Sequence, residues 1–120
     1  MDFTNDYTLT IDGAAVDTAN RIDVINPATG KAFASAPCAG QAELDLAVAA
    51  AKRALPAWKA LGWEGRRDLL VKAAKAIEPH LDAFAALFVA EQGRPTALAK
   101  GEVQMGAWWL KSVARQELAN

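Results

Sequence analysis

The spacing of apolar residues changes period between Pro37 and Gln41, and that switch confines the chain to strands first and helices afterwards. Before it, Tyr7-Thr8-Leu9-Thr10-Ile11 alternates, Asp12-Gly13 is a strong two-residue turn, and Ala14 to Val16 can return as a second strand. Ile22 to Ile25 predicts another strand, Asn26-Pro27-Ala28-Thr29-Gly30 supplies turn chemistry, and Lys31 to Ala36 alternates again. Residues 1–37 should therefore form two short β-hairpins.

From Gln41 the pattern is helical. Leu44, Val48, Ala51 and Leu55 form one apolar stripe, with Glu43, Asp45, Lys52 and Arg53 off it. Asp45 is a weak start signal, and Pro56 predicts an end near Ala54 with Trp58 in a connector. Leu70, Ala73 or Ala74, and Ile77 make a second stripe, which Pro79 breaks or kinks before Leu81, Phe84, Leu87 and Phe88 begin a third. Gly93 is placed as a left-handed helix cap. After Arg94-Pro95-Thr96, a stripe of Leu98, Met105, Trp109 and Val113 predicts a fourth helix to about Leu118, nearly to Asn120. The 28 alanines among 120 residues agree, since Ala carries the lowest helix cost. The expected fold class is α+β, two hairpins followed by about four helices over residues 41–120.

Composition excludes several partners. Thirteen basic against 14 acidic residues give a net charge of −1, which advertises no surface for nucleic acid. The longest apolar run, Ala83 to Ala90, is far shorter than the roughly 18–20 residues that cross a bilayer. Residues 1–7 lack the cationic start and apolar stretch of a secretory signal, so the chain is expected in the cytoplasm. A single cysteine, Cys38, makes no internal disulfide and offers no zinc-ligand spacing.

Candidate chemistry is sparse. Neither Gly-x-Gly-x-x-Gly nor a Gly-Lys-Ser phosphate loop occurs. Cys38 needs a nearby base or helix N-terminus to become a nucleophile, and the single histidine, His80, lies far along the chain. An ordinary thiol and a surface histidine are the expected readings, with a minimal Cys38–His80 enzyme as a remote option. Glu91 precedes the Gly93 cap, where the helix dipole disfavours negative charge, so it is either exposed or partnered. Arg66, Arg67, Lys72 and Lys75 read as a solvated helix face. Adjacent Trp108 and Trp109 point about 100° apart, so a core that buries one should leave the other to meet another surface.

Taken in order, Ile25-Asn26-Pro27-Ala28-Thr29-Gly30-Lys31, the Ala-rich helix, Trp58, Arg66-Arg67, Glu91-Gln92-Gly93-Arg94-Pro95 and Glu102-Val103 resemble the opening of the NAD(P)-dependent aldehyde dehydrogenases, from Leu9 to Ala114. The resemblance implies the outer N-terminal part of an α/β enzyme, residues 1–120 being a fragment of a longer domain. The family's catalytic cysteine stands in Gly-Gln-x-Cys, its general base in Glu-Leu-Gly-Gly and its oxyanion asparagine in Pro-Trp-Asn, none of which occurs here. Cys38 matches none of these positions, and the cofactor residues are likewise implied downstream. No catalytic or cofactor-binding residue is therefore expected in this chain, and no NAD or NADP bound to it alone.

Many family members also carry a structural monovalent cation, which the resemblance places at Val24, Ile25 and Glu91, a further ligand being absent. In the complete enzyme the resemblance implies oxidation of an aldehyde to an acid through a thiohemiacetal, hydride transfer to nicotinamide and thioester hydrolysis. The implied partner is the missing remainder of the enzyme or a homo-oligomer partner. The competing reading is a self-standing α+β interaction module without catalysis, which a polar outer helix face would favour.

Overall fold

The computed structural model describes residues 7–116. Its elements follow the expected order: strands β1 (Leu9–Ile11), β2 (Ala14–Val16), β3 (Arg21–Asn26) and β4 (Lys31–Pro37), then helices α1 (Gln41–Ala60), α2 (Gly62–Ile77), α3 (Leu81–Gln92) and α4 (Thr96–Val113). A single 3-10 turn, Glu78–His80, separates α2 from α3. Two compact units are present, Asp2–Ala57 and Trp58–Asn120.

The first unit holds two antiparallel pairs. β1 meets β2 with Leu9 opposite Val16, and Asp12 (φ 55°) and Gly13 (φ 76°) supply the two positive φ angles that a tight hairpin turn requires. β3 meets β4 with Arg21 opposite Pro37 and Asn26 opposite Lys31. Arg21 fastens this unit: its guanidinium donates to the Asp17 carboxylate at 2.8 Å, the Ser35 hydroxyl at 2.8 Å, the Tyr7 carbonyl at 2.9 Å and the Ser35 carbonyl at 3.1 Å. α1 begins at Gln41, where the helical period starts, and the Glu43 carboxylate reaches back to accept the Gly40 amide at 2.7 Å. Asp45 instead accepts from the Gln41 side chain at 2.9 Å.

The expectation that Pro56 ends the first helix near Ala54 is wrong: α1 runs through Pro56 to Ala60, and Trp58 is helical. A proline's fixed φ lies within the helical range, so what it removes is one amide donor and some clearance at the carbonyl four residues before. Residues 51–60 are all exposed, so water can reach the Lys52 carbonyl that Pro56 leaves without its helical donor. Ala57, Lys59 and Ala60 are themselves good helix formers.

In the second unit α4 packs against both α2 and α3. Pro79 stops α2 at Ile77 as expected, and Gly93 closes α3 in the left-handed region at φ 66°, its amide donating to the Val89 carbonyl at 2.9 Å. Ion pairs tie α4 to its neighbours: Lys111 to Glu78, and Lys100 to Asp82 at 2.7 Å. The helix ends at Val113 rather than near Leu118 or Asn120. Arg115 and Gln116 donate three residues back, to Ser112 and Val113, which tightens the last turn out of the α-helix. Residues 117–120 lie outside the described residues.

Burial overturns the expected faces of α1 and α4, whereas the α2 stripe holds, with Ala74 buried and Leu70 and Ile77 half-buried. Every buried side chain among the described residues is an alanine: Ala50, Ala74, Ala85, Ala99, Ala107 and Ala114. On α4 the inward line is Ala99, Val103, Ala107, Leu110 and Ala114, whereas Leu98, Met105, Trp109 and Val113 are exposed. On α1, Leu44, Val48 and Leu55 are exposed and Ala50 is buried. Small side chains let helix backbones approach closely, so the face of smallest volume turns inward and the larger apolar residues are left outside. The sequence reading also expects one of the adjacent tryptophans in the core. Both are exposed, Trp108 at 55% and Trp109 at 54%, with ring centroids 5.2 Å apart in an edge-on contact.

Candidate functional site

Val24 and Ile25 lie side by side on β3 at a register shift: Val24 pairs with Ala34 and Ile25 with Ala32, so β4 carries one more residue than β3 across this step. The extra residue is Phe33, so the bulge interrupts the regular ladder beside Val24 and Ile25 and bends β4 there. The turn that follows is tightly made. The Asn26 side chain accepts the Ala28 amide at 2.9 Å, its carbonyl accepts the Gly30 amide at 2.8 Å, and Gly30 takes φ 67°. Val24 and Ile25 belong to the first unit.

Glu91 belongs to the second unit, in the last turn of α3, and its side chain is exposed. It lines an open groove of about 510 Å³ between α3 and α4, with Phe84, Leu87, Phe88, Val103 and Glu102. Glu102 is paired: Arg94, just beyond the Gly93 cap, reaches it at 2.8 Å. In the sequence Arg94 reads as part of a turn, with nothing that connects it to Glu102. Eight residues of separation across a helix start give no periodic signal that would have done so.

Backbone carbonyls and a carboxylate are hard oxygen donors, the class that suits hard cations rather than zinc or another soft metal. Among the described residues there is no group of three or more His, Cys, Asp or Glu side chains that could hold a metal ion.

Cys38 is exposed, following β4 directly; its amide donates to the Asn20 carbonyl at 2.8 Å and to the Thr18 hydroxyl at 3.2 Å. His80 closes the 3-10 turn and is exposed. Neither side chain forms a hydrogen bond or ion pair with another described residue, so neither is presented with an activating partner. No helix among the described residues is long and apolar enough to cross a membrane.

Residues 15–118 match the model of the aldehyde dehydrogenase family. The chain belongs to that family. Among aldehyde dehydrogenase relatives, it is 43% identical over 103 residues to a glutarate-semialdehyde dehydrogenase of Pseudomonas aeruginosa, covering 84% of this chain and 21% of the relative. It is 40% identical over 108 residues to the NADP(+) succinate-semialdehyde dehydrogenase GabD of Escherichia coli, covering 88% of this chain and 22% of the relative. A solved NAD-dependent aldehyde dehydrogenase from Sinorhizobium meliloti superposes with a TM-score of 0.87 at 30% identity, over 93% of this chain and 23% of that one. The chain thus spans about a fifth of the length of the curated relatives it matches. Its two hairpins and following helices are the N-terminal part of the aldehyde dehydrogenase fold.

Proposed function

We propose that residues 1–120 serve as the N-terminal part of an NAD(P)-dependent oxidoreductase that oxidises aldehydes to carboxylic acids, and that this chain alone is inactive. The observation that carries the proposal is the family match over residues 15–118, a stretch that holds none of the Gly-Gln-x-Cys, Glu-Leu-Gly-Gly or Pro-Trp-Asn motifs that the reaction needs. NAD or NADP is then the cofactor of the complete enzyme and does not bind this chain by itself. Its location is the cytoplasm, and it takes neither nucleic acid nor membrane as a partner. The partner is the remainder of the enzyme or another subunit. Support comes from the large apolar side chains left outside both units, Leu44, Leu55, Leu98, Met105, Trp108 and Trp109 among them. A self-standing module would need a polar outer face in their place.

Within the complete enzyme, the backbone oxygens of Val24 and Ile25 and the carboxylate of Glu91 would help hold a structural monovalent cation. Exchanging the chain into the matching segment of the Escherichia coli succinate-semialdehyde dehydrogenase tests both parts of the proposal. Retained NADP-dependent oxidation of succinate semialdehyde is expected, with a melting temperature that responds to potassium and loses that response in Glu91→Gln. A folded, NADP-binding chimera without turnover would overturn the functional reading. A potassium response unchanged by Glu91→Gln would overturn the cation site alone.

A further inference from the structure

We draw no further inference here: the strongest candidate, the open apolar groove between α3 and α4 lined by Phe84, Phe88 and Val103 with Glu91 and Glu102, carries nothing, because nothing in the structure shows what covers it.

Discussion

Arg21 and Asp17 form an ion pair at 2.8 Å in which the cation is the sheltered member, its side chain 28% exposed against 73% for the carboxylate. The asymmetry follows from what else the guanidinium does: it also bonds Ser35 on β4 and the Tyr7 carbonyl ahead of β1, bringing three separate stretches of the first unit to one side chain. Arg21→Ala should therefore destabilise this unit by about 1.5–3 kcal/mol, the range for hydrogen bonds to a charged group. Asp17→Asn, which weakens the exposed pair and keeps a side-chain oxygen for the Thr18 amide, should cost no more than about 1 kcal/mol. Amide exchange across β3 and β4 separates the two. Equal effects would show that the ion pair, and not the wider set of bonds, holds the unit.

Gly93→Ala should destabilise the second unit by about 1–2 kcal/mol, because the cap holds φ at 66° and a side chain there meets its own carbonyl. Thermal unfolding followed by circular dichroism reads this directly. A melt indistinguishable from the parent would show that the α3–α4 turn can close in another conformation.

Pro56→Ala should strengthen α1. The substitution restores an amide donor to the Lys52 carbonyl and removes a ring from the helix interior, a change worth up to about 3 kcal/mol. Exchange protection at residues 57–60 should rise while that of β3 and β4 stays constant. Unchanged protection would mean that the proline is already accommodated without cost.

The isolated chain should produce no NADH or NADPH from aldehydes, and calorimetry should detect binding of neither NAD nor NADP. The check is absorbance of the reduced cofactor over a panel of aldehydes at high protein concentration. Turnover that disappears in Cys38→Ser would place chemistry on the one thiol and contradict the reading.

Self-association should accompany that inactivity. Trp108 and Trp109 expose over half their surface beside Met105 on the same helix, and burying each large apolar side chain is worth about 1.5–3 kcal/mol. Sedimentation should show concentration-dependent association, weakened in Trp108→Ser and in Trp109→Ser, with hydrophobic-dye binding reduced in parallel. A monodisperse monomer at high micromolar concentration that binds no dye would refute it.

Signals local to a few residues were legible in the sequence. Asp12-Gly13 and Asn26 to Gly30 dictate their turns through backbone conformation, and Pro79 and Gly93 punctuate helices through a missing amide and a left-handed φ. The inward faces of α1 and α4 were not legible, because hydrophobicity and inwardness separate there, whereas on α2 the Leu70, Ala74 and Ile77 stripe does turn inward. The stripes through Leu44 and Leu98 are the most apolar lines on their helices, yet close approach of backbones selected the alanine lines beside them. The outcome at Pro56 is not legible either, because its helical cost depends on whether water reaches the carbonyl it strands, which is a property of the fold. The end of β3 shows the same division: the turn after Val24 and Ile25 announces itself, whereas the register shift between them does not.

The alanines at the inner face of α4 invert the usual map of mutational sensitivity. In most domains the bulky residues are the ones that resist replacement and the small ones are interchangeable. Here Leu98→Ala or Met105→Gln removes nothing that the isolated second unit encloses, whereas an isobutyl group in place of the methyl at Ala99 or Ala107 would have to wedge two helices apart. In the isolated second unit, tolerance to replacement is therefore greatest where the side chains are largest and least where they are smallest, so the positions its packing guards most closely are the ones that look most dispensable.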